Sequence, residues 1–496
     1  MGSRRRAGML IAFGMLLSVV IPATADHGAD EHSPNMKLVG SFDDEGEYSS
    51  GSDIAFWEDR GVFGTLEGGF RLVDLSNPTA PKLISHFDCP GSQSDVSTWG
   101  DLVFVSVDTA YFGPECDAGE ASVDQFVLGN VWEGIRVVSI ADPAKPEMIA
   151  TVDTECGSHT HTLVPDLANE RLLLYIQSYP LTNYAVDCNP ISHQKISVVE
   201  VPLKAPAEAK VIGTPSVAPA IGCHDVTIFP QRKLAAAACI HESQIWDISD
   251  PANPVVLSHI FNPLINIHHS AAFSWDGTTI VLGDELGGAA FGPGCMSGGA
   301  LPFGALWFYD VSDPAAPVEV GSFVVPRDRV EIVCTAHNFN VIPLTDGRDV
   351  LVSAWYTGGT TVIDFTDPAN PEEIAYYVPE GADSWSSYFY NGYIYSNDLG
   401  TRGIDVYELD DPVLKSRVSL PRMNPQSQER LPIASGAGGS GGAPSGGAKP
   451  KPSARGTRTD RTLPGTGVPG ASWPGLALVS FAALLAFTLR RSVRTR

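Results

Sequence analysis

Four histidines recur at one position of a repeating pattern, and they are the side chains best suited to chemistry. They are His159, His224, His268 and His337. Each lies six residues before the end of an apolar run, and the four runs belong to four successive repeats. Equivalent positions in a closed array of repeats converge on its axis, where four imidazoles suit Cu, Fe or Zn. The sequence therefore predicts a mononuclear transition-metal site with these four ligands.

Three neighbouring residues bear on this site. His161 lies two residues beyond His159 and shares its side of a strand, so it is a reserve ligand or a partner of one. His269 follows His268 directly, so we expect it to point away from the axis and to pack between repeats. Glu242 is the carboxylate expected to orient a ligand imidazole. The alternative is a polar channel without metal, in which the histidines only form hydrogen bonds.

A turn containing Pro recurs through the body of the chain and defines the elements that hold these histidines. A β-branched run ends in Asp, an apolar residue, Ser or Thr, and then Asp-Pro or Asn-Pro. The clear copies begin at Asp74, Asp247, Asp310 and Asp364, and weaker ones end at Pro143, Pro202 and Pro412. Asp and Ser start tight turns through side-chain-to-backbone hydrogen bonds, and Pro stops the strand ladder. Seven turns roughly 56 residues apart leave room for four short strands each.

These segments resemble the LVIVD repeat family, and the resemblance implies an all-β, seven-bladed β-propeller over residues 36–418. The last repeat has no clear strand after Asp411-Pro412, whereas residues 37–42 match the outer strand at 320–323. We therefore expect an N-terminal strand to complete the last blade, which closes the ring without an open sheet edge. Long insertions at 108–132, 178–193 and 285–303 should roof the histidines.

The N-terminus carries an export signal. Arg4, Arg5 and Arg6 precede an apolar run, and Ala23-Thr24-Ala25 is a small-residue cleavage site, so residues 1–25 are predicted to be a signal peptide. Residues 26–35 form an acidic linker before the propeller. Residues 419–462 are rich in Pro, Gly and Ser and are predicted to form a flexible stalk.

Residues 463–496 resemble the LPXTG sorting signal of Gram-positive bacteria. Leu463, Pro464, Thr466 and Gly467 match the motif, and an apolar run and a basic end follow it. The resemblance implies that a sortase joins Thr466 to the cell wall. The alternative is a transmembrane helix formed by the apolar run, with the basic end inside. Both alternatives place the propeller outside the cell, anchored to the wall or the membrane.

The eight cysteines suit an oxidising exterior. Pairing of neighbours along the chain predicts the disulfides Cys89–Cys116, Cys156–Cys188, Cys223–Cys239 and Cys295–Cys334. An alternative remains for two of these residues, because Cys223 and Cys334 lie close to predicted ring histidines in the sequence. Either could instead serve as a thiolate ligand.

Composition and charge restrict the function. The formal net charge of −25 argues against nucleic acid as a partner.

Ser52, Ser94 and Ser384 occupy the histidine position in the other three repeats, which would leave one side of a metal open to an unknown small molecule. An axial ring of histidines resembles that of the methanethiol oxidase and carotenoid-cleaving oxygenase groups. The sequence thus predicts a surface metal-dependent oxidoreductase, with a non-enzymatic binding or adhesion module as the alternative.

Overall fold

The turns form by the hydrogen bonds that their sequence predicts. Oδ1 of Asp74 accepts a hydrogen bond from the Ser76 N–H at 2.8 Å, and Asp247 accepts one from Ser249 at the same distance. Two further repeats form the same bond. Each turn ends a third strand and reverses the chain into an outer strand.

The computed structural model describes residues 30–42, 50–121, 131–179, 193–285, 295, 302–327, 334–400 and 402–429. These residues form seven antiparallel sheets of four strands, two of which gain a short fifth strand. The sheets are blades around a central channel, so the fold is an all-β, seven-bladed propeller, as predicted. Helix is limited here to short 3₁₀ turns: Leu167–Asn169, Pro206–Glu208, Pro230–Arg232 and Pro412–Ser416.

The strands of each blade run in sequence order from the channel outward, except that blade 7 takes its outer strand from the N-terminus. The innermost strands of blades 1 to 7 are Gly51–Trp57, Val96–Trp99, Thr160–Asp166, Asp225–Phe229, His268–Phe273, Phe339–Val341 and Ser384–Tyr390. The second strands are Arg60–Thr65, Leu102–Tyr111, Arg171–Gln177, Leu234–Ala238, Thr279–Asp284, Val350–Ala354 and Tyr393–Asp398. The third strands are Gly69–Asp74, Trp132–Ser139, Ser197–Pro202, Ser243–Asp247, Leu306–Asp310, Thr360–Asp364 and Ile404–Leu409. The outer strands are Lys82–Asp88, Glu147–Asp153, Lys210–Gly213, Val255–Ile260, Val318–Phe323, Glu372–Val378 and Met36–Phe42.

The N-terminal strand closes the ring. Met36–Phe42 pairs antiparallel with Ile404–Leu409, which confirms the predicted outer strand of blade 7. Met36 is fully buried in the apolar layer between blades 6 and 7. Within the predicted linker, Glu31–His32 adds a short fifth strand to blade 6.

Apolar clusters join each blade to the next. Seven such clusters occur in the described residues, one at each contact between neighbouring blades. Between blades 7 and 1, Phe56 stacks on Tyr390 with ring centroids 4.5 Å apart. Burial of these faces stabilises the ring, so the inner strands are held at fixed distances from the axis.

Three of the four predicted disulfides are present: Cys89–Cys116, Cys223–Cys239 and Cys295–Cys334. Cys223 and Cys334 are therefore not thiolate ligands. Cys188, the predicted signal peptide at 1–25 and the predicted sorting signal at 463–496 lie outside the described residues. Within the described part of the chain, no helix is long and apolar enough to span a membrane.

Candidate functional site

Three of the predicted histidines occupy the same place in their blades, at the upper mouth of the channel, which is defined here as the end where the inner strands begin. His159, His224 and His337 immediately precede or nearly precede their inner strands. The backbone N–H of each donates to the second strand of its blade, at 3.0, 2.7 and 2.9 Å respectively. The structure therefore places these three histidines at equivalent positions of their blades, and their role as metal ligands stays a prediction.

In blade 5 the prediction is wrong by one residue. The pairing with the second strand shifts between His268 and Ser270, so His269 is the extra residue of a β-bulge. The bulge turns His269 toward the axis and His268 between the blades, where its Nδ1 lies 2.8 Å from Oγ of Ser243. His269 is therefore the fourth axial histidine.

The four axial imidazoles form a continuous arc. Nε2 of His159 lies 2.8 Å from Nε2 of His224. The ring of His269 lies 3.9 Å from that of His224 and 4.3 Å from that of His337, measured between centroids. All four side chains are at least nine-tenths buried.

Hydrogen bonds at Nδ1 orient the outer members of the arc. His159 Nδ1–H donates to Oδ2 of Asp108 at 2.6 Å. His337 Nδ1–H donates to the carbonyl oxygen of Trp385 at 2.6 Å. Both rings therefore present the Nε2 lone pair to the axis. Histidines that bind metals usually donate the other ring N–H to a carboxylate or carbonyl oxygen in the same way. Nδ1 of His224 lies 3.2 Å from the carboxylate of its neighbour in the chain, Asp225.

One carboxylate faces the arc directly. The side chains of His224, His269 and Glu285 place their donor atoms within 4.8 Å of one another, a group that could hold a metal ion. Glu285 also lies 3.7 Å from Nε2 of His337, and it accepts a hydrogen bond from the Tyr356 hydroxyl at 2.6 Å. Tyr356 thus fixes the carboxylate beside the imidazoles.

Three ring nitrogens of the arc have no hydrogen-bond partner in the described residues. They are both nitrogens of His269 and Nε2 of His337. His269 is 1% exposed, so water does not solvate it from outside. A buried polar atom without a hydrogen bond lowers the stability of the fold by roughly 1–3 kcal/mol, and three such atoms lie close together here. A bound cation would satisfy one ring nitrogen of His269 together with Nε2 of His337, so the donor set fits a metal ion.

Burial sets the charge of these groups. It lowers the pKa of His224 and His269 well below the usual histidine value and that of His337 to about 3. These imidazoles are therefore neutral at neutral pH, the form that binds metals. Burial also raises the pKa of Glu285 to about 7, so a nearby cation would favour its ionised form.

The ends of two second strands reach the arc. Asp108 lies near the end of Leu102–Tyr111 in blade 2, and Glu285 directly follows Thr279–Asp284 in blade 5. Near the start of the insertion of blade 3, the Tyr179 hydroxyl lies 3.3 Å from Nε2 of His159. Most of the insertions at 178–193 and 285–303, and residues 122–130 of the first insertion, lie outside the described residues. Sequence reasoning missed Asp108 and Tyr179 as contacts, although their positions at the loop starts could have indicated them.

The remaining predicted site residues lie elsewhere. Both ring nitrogens of His161 contact serine hydroxyls, Ser97 at 2.7 Å and Ser106 at 2.8 Å, so this histidine faces blade 2. Glu242 accepts a hydrogen bond from Gln244 at 2.6 Å and lies 3.0 Å from His259 of an outer strand. The carboxylates that contact the arc are Asp108, Asp225 and Glu285 instead.

A small cavity continues the site down the channel. Its wall includes His224 and His337 above and three buried acids below: Asp53, Asp95 and Asp225. Burial raises the pKa of Asp95 to about 7 and that of Asp225 to about 8. Burial and the adjacent Asp95 raise the pKa of Asp53 well above its usual value. The channel below the arc is thus lined by buried carboxyl groups that hold their protons to higher pH than exposed ones do.

Comparison of the sequence with known families agrees with the repeats seen in the blades. Residues 65–89 and 304–325 match the LVIVD repeat family. The first match covers the third and outer strands of blade 1, and the second covers the corresponding strands of blade 5. No curated protein matches the sequence significantly.

Solved structures share the fold at low identity. Hydrazine synthase from Kuenenia stuttgartiensis matches with a TM-score of 0.50 and 11% identity, over 76% of this chain and 97% of that one. The β-propeller domain of Cps50 (Swd1) from Myceliophteria thermophila gives 0.49 and 8%, over 75% and 99%. A protein of unknown function from Desulfotomaculum acetoxidans gives 0.45 and 12%, over 68% and 87%. Similarity at such identity concerns the fold and carries no functional assignment.

Proposed function

We propose that this LVIVD-repeat propeller is a cell-surface oxidoreductase that binds one redox-active metal ion at the upper mouth of its channel. The ligands are drawn from His159, His224, His269, His337 and Glu285. The observation that carries the proposal is the unpartnered, fully buried imidazole of His269, which lies between two other histidines and beside a carboxylate.

The donor set suits iron or copper. His224, His269 and Glu285 are two histidines and one carboxylate, the donor set of many non-haem iron sites, and imidazole nitrogens also suit copper. Such ions supply one-electron chemistry when bound.

The chain's own groups would orient and protect this site. Asp108 holds the ring of His159, the Trp385 carbonyl holds that of His337, and Tyr356 holds Glu285. Burial keeps the imidazoles neutral and limits the access of water. The acids below the arc, Asp95 and Asp225, can accept or supply protons near neutral pH, as a redox reaction of a small substrate requires.

The location at the cell surface belongs to the same proposal. The signal peptide at 1–25 and the sorting signal at 463–467 support export and attachment, and three disulfides suit an oxidising exterior.

The test is elemental analysis of the full chain, purified without chelator from a host grown with Cu, Fe and Zn all supplied. We expect about one Fe or Cu ion per chain, consistent with a single arc of ligands. A protein that carries no metal, and that binds none of the three on titration, would leave the non-enzymatic binding module as the remaining function.

A further inference from the structure

A short C-terminal segment crosses the lower mouth of the channel, the end opposite the histidine arc. This segment, residues 420–429, follows the last blade and falls in the region whose composition predicts a stalk. It contacts the inner hairpin or inner strand of every blade in the ring, through Asn391, Phe56, Thr98, Leu163, Ile228, Phe273 and Asn340.

Two side-chain amides of the segment behave like peptide groups. Asn424 accepts from the backbone N–H of Thr98 at 2.8 Å and donates to its carbonyl oxygen at 3.0 Å. Gln428 accepts from the N–H of Phe273 at 2.6 Å and donates to its carbonyl oxygen at 2.8 Å. Each amide therefore satisfies both backbone groups on the channel-facing edge of an inner strand. Only Asn or Gln can do this, so the contact is specific for sequence.

The backbone of the segment adds to a third inner strand. The N–H of Ile228 donates to the carbonyl of Gln426 at 2.9 Å, and the N–H of Gln428 donates to the carbonyl of Ile228 at 3.1 Å. A free strand edge that pairs with an extended peptide is a common mode of peptide recognition. Blade 4 uses it here with the chain's own segment.

The two ends of the segment meet at the same mouth. Nη2 of Arg422 lies 3.0 Å from Oε2 of Glu429, and the guanidinium of Arg422 packs over Trp99 at 4.2 Å from the ring centroid. The segment is therefore a loop that dips into the channel and returns. Its residues Arg422–Met423 add a short fifth strand to blade 1, but the four strands of each blade are paired without the segment.

The segment also reaches the cavity below the histidine arc. The side-chain amide of Gln426 donates to Oδ2 of Asp53 at 2.9 Å. Asp53 lines the same cavity as His224 and His337. The segment thus forms the floor beneath the site, and its withdrawal would connect that cavity with solvent at the lower mouth.

We propose that the lower mouth of the channel is a peptide-binding site, and that residues 420–429 fill it as a removable stopper. Its ligand is a peptide with two amide side chains four residues apart and a turn between them, as Asn424 and Gln428 have here. The inference goes beyond the proposed redox function and does not depend on a bound metal.

Hydrogen exchange of full-length proteins tests the stopper. In the isosteric variant Asn424→Asp/Gln428→Glu, each carboxylate loses the donor and faces a carbonyl oxygen. We expect the amides of Thr98 and Phe273 to exchange at least tenfold faster than in the wild type, with unchanged protection in the blade ladders. The matched control Gln194→Glu, at an exposed amide, should leave both amides protected. Equal protection of Thr98 and Phe273 in the double variant and the wild type would overturn the proposal.

Binding of a separate peptide provides the second measurement. It uses the double variant and also the single variant Gln428→Glu, which is the less disruptive change and serves if the double variant partly unfolds. A labelled synthetic peptide of residues 418–430 should bind saturably to both variants but not to the wild type, whose site is filled. The same peptide with both substitutions should bind at least tenfold more weakly. Absence of binding to both variants, while their Thr98 and Phe273 amides exchange freely, would show that the mouth is not a peptide site.

Discussion

The Nε2 atoms of His159 and His224 lie 2.8 Å apart, although the two residues are 65 positions apart and belong to different blades. Two bare lone pairs at that distance would repel, so one proton or one metal ion must lie between them. The Nδ1–H of His159 already donates a hydrogen bond to Asp108. A metal ion bound as proposed would take the place of the proton between the two Nε2 atoms, so we expect metal binding to depend on pH.

Asp108 should influence metal affinity without being a ligand. In Asp108→Asn the amide no longer stabilises the ring of His159 with a full charge, so we expect metal affinity to fall about 10–100-fold. Calorimetric titration of the chelator-treated protein with the metal ion measures this affinity. Asp101→Asn, at a turn on the surface, is the control and should bind as the wild type does. Equal metal affinity in the two variants would show that Asp108 does not influence metal binding.

The N-terminal strand should carry a large share of the stability of blade 7. Met36 is fully buried, so we expect Met36→Ala to lower the free energy of unfolding by about 2–5 kcal/mol. Lys37→Ala, its exposed neighbour, should change the free energy by less than about 0.5 kcal/mol. Deletion of 36–42 should expose the edge of Ile404–Leu409 and cause aggregation. Similar denaturation midpoints for the two point variants would contradict the assignment of the strand.

Much of the fold was predictable because its determinants are local. The turns at Asp74 and Asp247 depend on hydrogen bonds within three residues, and their spacing gives the number of blades. Closure by Met36–Phe42 followed from counting strands and matching one short run to another. The docking of residues 420–429 was not predictable in the same way, because its partners lie in all seven blades and its composition resembles a linker.

The positions of the axial histidines were predictable to within one residue of one blade. The periodic spacing placed His159, His224 and His337 at the channel mouth, where the structure has them. It placed His268 on the axis instead of His269 because a β-bulge adds one residue and reverses which side chain faces the channel. The residue spacing of the repeats alone does not reveal a β-bulge. The contact of Glu285 with the arc likewise depends on tertiary packing.

Buried acids should make the stability of the chelator-treated protein fall as pH rises. Burial raises the pKa of Asp95 to about 7, above its unfolded value of about 3.9, so the folded state binds the proton more tightly. The stability from this group is fully present below pH about 4 and is lost as pH rises through about 7. Between pH 5 and 8, Asp95→Asn should therefore lose less stability than the wild type. The contributions of the buried histidines to the pH dependence are common to both proteins and cancel in this comparison. Chemical denaturation at each pH gives the free energy of unfolding, and parallel curves of that energy against pH would contradict the prediction.

Attachment to the surface should depend on the pentapeptide motif. Thr466→Ala removes the residue whose carbonyl the sortase would attack, so the protein should appear in the membrane or medium and not in the peptidoglycan fraction. Thr462→Ala, one residue before the motif, is the control and should remain wall-linked. If the wild type is never found covalently bound to peptidoglycan, a transmembrane tail is the correct reading of residues 463–496.

The adjacent pair His268 and His269 provides the most direct test of the metal site. Both are buried in one bulge, so His268→Ala and His269→Ala should perturb the fold to a similar extent, which thermal unfolding checks. Metal content per folded chain is then measured by elemental analysis after growth with Cu, Fe and Zn. The account predicts that His269→Ala retains less than about a tenth of the wild-type metal and that His268→Ala retains nearly all of it. Equal metal content in the two variants, or loss only in His268→Ala, would contradict it.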